Sequence, residues 1–364
     1  MKSLLTICCA VILTLQVTAQ TVWIADNRPT APTGSHIFAD VTSAITAASP
    51  GDIIHIIPSQ TFYPSFTITK DSLTFFGIGF NPDKDQPNKS WVDFVTIATG
   101  VFGTRISGLN VNQDLTIGNG DGSTGNIFIE NGDIDRIVTT TAGSPGKALS
   151  NIVIRNCVIG LRETGGQNVI FLTQETNPTS VVITNNVIMG ASSTASGGYG
   201  SVSVADAIIK NNLFLGNGVS DFAFNSVTTT TVTNNIFFGR APITDALAGT
   251  VNNSTFTNNI SFSTGNDNFP IGADGNTGTG NFEATDPQFT GVPLADDWDF
   301  VNDPTLIGGA GVNGGNDGTD IGPTGGTIPF SLTGTPLPTI KVLRLPEIIK
   351  QGDNVDATIE AEGN

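Results

Sequence analysis

The chain has 364 residues, of which 38% are hydrophobic, 13% charged and 43 are glycine, and its formal charge is −17. So acidic a surface excludes an electrostatic nucleic-acid binder and repels polyanions. With Cys8, Cys9 and Cys157 as its cysteines, it also excludes a disulfide-built scaffold.

Residues 1–19 read as a secretion signal. Lys2 gives the positive start, Leu4 to Leu15 the apolar stretch, and Val17-Thr-Ala19 a small-residue cleavage site. Cleavage after Ala19 removes Cys8 and Cys9, and the expected location is outside the cell or at its surface. Nothing later in the sequence is apolar for long enough to span a membrane as a helix. After His36, Asp40 is a candidate helix N-cap. Val41, Ala44, Ile45 and Ala48 form one apolar stripe, and Pro50-Gly51 ends it. A short helix here would cap an otherwise open sheet end. His55 alternates outward between Ile54 and Ile56, at that same end.

From Gly108 onward the chain repeats about every 25 residues. A Gly or Asn opens each turn: Gly108, Asn131, Asn156, Asn185, Asn211, Asn234 and Asn258. Two positions earlier stand Ile106, Ile129, Ile154, Ile183, Ile209, Val232 and Phe256. One position earlier stand Ser107, Glu130, Arg155, Thr184, Lys210, Thr233 and Thr257. This alternation within short β-rich runs is strand periodicity, with the apolar residue inward and its neighbour outward. Repeats of this length bury their apolar side chains only by stacking. Strand, turn and strand, repeated, predict an all-β fold, one coil of a parallel β-helix per repeat. Asn156, Asn185, Asn211, Asn234 and Asn258 are expected to form a hydrogen-bonded ladder along the axis. Cys157 occupies the place that Asn186, Asn212, Asn235 and Asn259 fill elsewhere, and reads as a small residue in a packed column.

Gly118–Gly122, Gly265–Asn268, Gly272–Gly275 and Asn313–Asp320 are rich in Asp, Asn and Gly. Such loops supply oxygen ligands for calcium, but also ordinary turns, and none follows a calcium-loop pattern. No metal ligand or cofactor is therefore assigned, with calcium kept as an option. The solenoid with its cap is expected over 20–335. A tail over 336–364 should carry two short strands, at Val342-x-x-Leu345 and Val355-x-Ala-x-Ile359.

Several segments carry a family resemblance. Ser43-Ala-Ile-Thr-Ala-Ala-Ser-Pro-Gly-Asp-Ile-Ile-His-Ile-Ile-Pro58, then Ile68-Thr-Lys-Asp-Ser-Leu-Thr-Phe-Phe-Gly-Ile-Gly79, resemble an opening coil. The Ile-x-Asn-Asn turns resemble inner coils. Asp286-Pro-Gln-Phe289, Asp303-Pro-Thr-Leu-Ile-Gly-Gly-Ala-Gly311 and Asp320-Ile-Gly322 resemble last coils. Together they resemble the right-handed parallel β-helix proteins of the pectate-lyase-like superfamily, in a secreted Bacteroidetes-type form. The resemblance implies a fold more than a function, since that superfamily holds lyases, hydrolases, epimerases and binding proteins.

For function, the sharpest pair is Arg155 and Lys210, outward in one column and roughly 10 Å apart across two strand steps. Glu130, Thr184 and Thr233 continue that column as candidate sugar contacts. In a lyase the two cations would flank a groove, one serving as base. A hydrolase would need spaced carboxylates; Asp133 and Asp135 lack an evident acid partner, and Asp296-Asp297 lies in a late loop. An ice-binding face would need an unbroken threonine column, and Glu130, Arg155 and Lys210 interrupt this one. Trp91, Trp298, Tyr63 and Tyr199 lie outside the repeated columns, where they either stack on sugars or cover coils. The expectation is a secreted or surface protein, monomeric and without a membrane span, that binds a glycan or serves a structural role. The alternative is a lyase acting on a uronic-acid glycan through Arg155 and Lys210.

Overall fold

A computed structural model describes residues 20–80, 88–139, 148–162, 168–172, 179–190, 200–217, 222–243, 250–295, 297–332, 339–344 and 358–362. Residues 1–19, expected as a secretion signal, Tyr199 and Asp296 lie outside the described residues.

The chain forms a parallel β-helix. Among the described residues one sheet stacks twelve strands, beginning with Ile37–Phe38, Val22–Ala25 and Ile53–Ile56 and closing with Thr231–Thr233, Thr255–Thr257 and Thr277–Thr279. A second, fourteen-stranded sheet supplies the remaining sides of each coil. In the first sheet the register runs Ile129, Ile154, Ile183, Ile209, Val232, Phe256 through successive parallel pairs. All six are buried, so the alternation read from the sequence is the register found. Short strands such as Val187–Ile188 and Leu213–Leu215 follow the asparagine corner, and their inward residues Ile188, Phe214 and Phe237 complete the core.

The helix spans Val41–Ala47. The Asp40 side chain accepts from the Ser43 backbone N–H at 2.7 Å, and Val41, Ala44 and Ile45 are buried against the first coils. The cap thus closes the end where the strand Ile37–Phe38 would otherwise lie open. Among the described residues no helix is long and apolar enough to cross a membrane.

Each asparagine corner is left-handed: φ is 53° at Asn156, 54° at Asn185, 52° at Asn211, 56° at Asn234 and 53° at Asn258. Asparagine tolerates this region better than other side-chain-bearing residues, which explains the column through the backbone alone. The ladder itself requires a correction. It runs one residue later, through Asn186, Asn212, Asn235, Asn259 and Asn281. The Asn186 backbone N–H and Nδ2 both donate to Asn212 Oδ1 at 3.0 Å. The same pattern links Asn212 to Asn235, Asn235 to Asn259 and Asn259 to Asn281. Cys157 lacks an amide and ends the series, its N–H donating to Asn186 Oδ1 at 2.9 Å. The shift has a simple cause. A left-handed residue turns the chain outward, so its successor is the one aimed into the core.

A second correction concerns residues 286–332, expected as last coils. The last strand of the first sheet is Thr277–Thr279. Beyond it, Phe289–Gly291 and Asp303–Leu306 form an antiparallel pair of their own. The segment then returns along the side of the solenoid. Its residues Trp298, Leu306, Ile321 and Phe330 join Val158, Val187, Leu213, Ile236 and Ile260 in one buried cluster. Those five are the outward residues of the short strands, and the returning segment is why they are apolar. The tail strands are Thr339–Arg344 and Thr358–Glu362, paired antiparallel with each other and with neither main sheet.

Candidate functional site

The returning chain fastens itself to the asparagine corner. Asn258 Nδ2 donates to Gly314 O at 2.9 Å, and Asn234 exchanges hydrogen bonds with Asn316. Asn211 Nδ2 reaches Asp320 O and Gly322 O, and Asn185 Nδ2 donates to Pro323 O and Gly325 O at 2.8 and 2.7 Å. As the segment advances it descends coil by coil toward the cap. It therefore closes one corner and the face beyond it. The asparagines of this column bond the returning chain rather than one another. Asn156 lies beyond its last contact, and its buried Oδ1 has no hydrogen-bond partner.

The outer face of the first sheet carries two outward columns. The expected one contains Glu130, Arg155, Thr184, Lys210 and Thr233, in register. Its members are not equivalent. Glu130 is 2% exposed because two guanidinium groups cover it. Arg155 Nε and Nη2 donate to Oε2 at 2.8 and 2.6 Å, while Arg105 Nε donates to Oε1 at 2.7 Å and its Nη2 also pairs with that oxygen. Each oxygen thus accepts a two-pronged charge-assisted contact. Thr184 Oγ1 donates to Asn185 Oδ1 at 2.6 Å, and Thr233 Oγ1 to Thr257 O at 3.0 Å; both residues are buried beside the fastened corner. Of the five, Lys210 stands exposed, and Arg155 is half-buried. Glu130, Thr184 and Thr233 are therefore corrected from open contacts to groups already held inside the protein. The cause in each case is a neighbour the repeat pattern does not contain: Arg105 from an earlier coil, and the returning chain.

The second outward column was missed. One residue before each inward position lie further outward positions: Arg105, Phe128, Val153, Val182, Ile208, Thr231, Thr255 and Thr277, aligned by the same register. Phe128 is 40% exposed and Ile208 44%. In the last three coils the two columns together give Thr231-x-Thr233, Thr255-x-Thr257 and Thr277-x-Thr279, with the Thr255 and Thr277 hydroxyls 3.2 Å apart. The period-two alternation places these residues outward, but the corner spacing marks only the residue preceding each Asn.

The remaining candidates are occupied elsewhere. Asp133 is ion-paired with Arg162 at 2.8 Å, and Asp135 accepts from the Arg162 backbone N–H at 3.0 Å. Tyr63 is fully buried, its hydroxyl donating to Ala25 O and Ile57 O. Trp298 covers the short strands, and Trp91 lies in the strand Trp91–Val92, edge-on to Phe62 at 4.6 Å. His36 lies tilted against Trp23 at 4.7 Å, and His55 lies edge-on to Phe76 at 5.7 Å, its pKa lowered by desolvation. Burial pushes the Cys157 thiol up to about 12, which leaves it an inert core group. In the calcium-like loops, Asp267 Oδ1 holds Thr264, Asp317 Oδ1 holds Thr319, and Asp320 Oδ1 holds the Asn313 N–H. Among the described residues no three Asp, Glu, His or Cys side chains converge as a metal site.

Among the described residues, the fold defines a β-helical solenoid with one side clad and one side free. Comparison with protein families, curated proteins and solved structures finds no match.

Proposed function

We propose that this is a secreted or surface glycan-binding protein, which holds an extended neutral or weakly charged polysaccharide along the outer face of the first sheet without cleaving it. The observation that carries the reading is the uncovered column from Phe128 through Val153, Val182 and Ile208 to Thr231, Thr255 and Thr277. Its rungs lie about 4.8 Å apart, as parallel strands require. An extended sugar chain presents C–H faces and hydroxyl edges in alternation. The aromatic and aliphatic rungs suit the first, and the threonine rungs suit the second. Arg105, Arg155 and Lys210 flank this column, so a local cationic margin tolerates an occasional sugar carboxylate.

Chemistry on the same face would need a free base. Arg155 faces Glu130, and both Glu130 oxygens are engaged, so Lys210 is what remains for the lyase alternative. Co-sedimentation with a panel of insoluble galactan, xylan, chitin and cellulose, beside soluble alginate and polygalacturonate, tests both readings. Binding to a neutral polymer is expected. It should weaken about tenfold in a Phe128→Ser, Ile208→Ser variant that melts normally. Absence of binding to every polymer would remove the reading. Ultraviolet absorbance from a new unsaturated product, lost in Lys210→Ala, would replace it with the lyase.

A further inference from the structure

The cap helix and the first coils flank a shallow, half-open groove on a different side of the solenoid. It lies between Val41–Ala47 and the strands Phe66–Ile68 and Val95–Ile97, with a volume of about 360 Å³. That is the lower end of the roughly 300–1,000 Å³ range of small-ligand pockets.

Its wall follows from local structure. In Phe66–Ile68 the outer two residues point into the core, so Thr67 points out; Thr96 does the same in Val95–Ile97, and the two are directly paired. Helix packing buries Val41, Ala44 and Ile45, which leaves Thr42 and Thr46 on the flank facing these strands. Ser65 and Thr69 complete the rim. Phe66 and Ile45 lie beneath, both almost wholly buried in the core.

In a chain of formal charge −17, no ionisable side chain lines this groove. Lys70, next to Thr69, is turned to the helix end, its Nζ donating to Thr46 O and Ala48 O at 2.7 and 2.6 Å. Thr46 Oγ1 donates to Thr42 O at 2.9 Å. The hydroxyls of Thr42, Ser65, Thr67, Thr69 and Thr96 have no protein partner among the described residues. Five free hydroxyls on an uncharged groove select a chemical class. An anion would find no cation, and a cation no carboxylate. An apolar ligand would leave the hydroxyls unpaired on losing their water. A hydroxyl both donates and accepts, so its best complement is another hydroxyl.

We propose that this groove binds a single neutral pyranose ring, whose hydroxyls pair with those of Thr42, Thr67 and Thr96. The site goes beyond the glycan face of the first sheet and does not depend on it.

The test is an amide chemical-shift titration of the isotope-labelled full chain with the methyl glycosides of glucose, galactose, mannose and N-acetylglucosamine, and with glucuronate as the charged control. At least one neutral glycoside should shift the amides of Thr42, Thr46, Thr67 and Thr96 at millimolar concentration, while glucuronate does not. The Thr67→Val, Thr96→Val variant keeps side-chain shape and β-branching but should raise Kd at least about tenfold. Should that variant melt early, Thr67→Ala alone, at an exposed strand position, should show a loss in the same direction. Phe128→Ser should leave this Kd unchanged, which separates the groove from the outer-face reading. The proposal is overturned if no neutral glycoside moves these amides, if glucuronate moves them equally, or if the altered chains bind as tightly as the original.

Discussion

Two of the solenoid's outer faces, built from the same coils, carry apolar columns. On one, Val158, Val187, Leu213, Ile236 and Ile260 are fully buried under Trp298, Leu306, Ile321 and Phe330. On the other, Phe128, Val153, Val182 and Ile208 have no such cover among the described residues, and Phe128 and Ile208 are exposed. The strands obey one register, so nothing within a repeat distinguishes the faces. The difference comes from residues 286–332, which descend one corner and lie over one face. An outward apolar column in a β-helix is therefore ambiguous until the chain beyond the last coil has been placed. Where that chain leaves such a column bare, a ligand becomes the reasonable occupant.

The strongest test of this comparison sets Leu213→Asp beside Ile208→Asp. The first buries a charge with no partner under the covering segment, and should destabilise by more than about 4 kcal/mol or prevent folding. The second places a charge on the bare face, and should change stability by no more than about 1 kcal/mol. Urea unfolding of both variants measures the difference. Equal losses would mean that the faces are covered alike and that the bare column is not free for a ligand.

A smaller contrast lies within each corner, between adjacent asparagines. Asn212 is wholly internal: its Oδ1 accepts from Asn186, and its Nδ2 donates to Ile183 O at 2.9 Å. Asn212→Leu removes several buried partners and should cost about 2–4 kcal/mol. Asn211 holds the returning chain at two carbonyls, and its φ is 52°. Asn211→Leu loses those bonds and strains the backbone, for about 1–3 kcal/mol. Glycine should divide the pair. Asn211→Gly keeps the left-handed turn and recovers part of the loss, whereas Asn212→Gly recovers none. If glycine helped both positions or neither, the assignment of turn to one and ladder to the other would be wrong.

These corners also mark how far the sequence was legible. The inward column was readable from Ile106 to Phe256 because alternation and a fixed spacing from the turn leave one register. The cap helix was readable from Asp40 and the Val41, Ala44, Ile45 stripe. The ladder was displaced by one residue because Asn-Asn offers two candidates, and which of them turns is decided by φ, not by composition. Burial of Glu130 was illegible because Arg105 belongs to a coil with Ser107 rather than Asn in its neighbourhood. The return of 286–332 was illegible too: Asp303-Pro-Thr-Leu306 reads as a strand whether it extends the solenoid or covers it. A second polar ladder, from Thr230 N–H to Ser254 Oγ and from Ser254 N–H to Asn276 Oδ1, escaped notice because three different residue types fill it.

The smallest expected effect concerns the end of the solenoid, where cover comes from the cap instead of the returning chain. Asp52 Oδ1 accepts from the Thr21 N–H at 2.9 Å, and Oδ2 from Trp23 Nε1 at 2.9 Å and the Ser49 N–H at 2.8 Å. These donors tie the first strand and the end of the helix to the coil below. Burial pushes the Asp52 carboxyl up, but the hydrogen bonds from Trp23, Ser49 and Thr21 outweigh it and hold the pKa below 3.8. At Asp26 the Arg28 side chain acts first and in the same direction, against burial. A carboxylate with a depressed folded-state pKa contributes stability that is fully present above its unfolded value and is lost as pH falls through the folded one. Stability from these two groups should thus be constant from neutral pH down to the ordinary carboxylate range, and decline below it. Asp52→Asn removes one titrating group, so the variant should be less stable at neutral pH and lose less on acidification. Melting temperatures of both chains at about pH 7 and about pH 3 measure this. If Asp52→Asn lost as much on acidification as the original chain, the acid sensitivity would belong to other carboxylates, and the cap would not be held by Asp52.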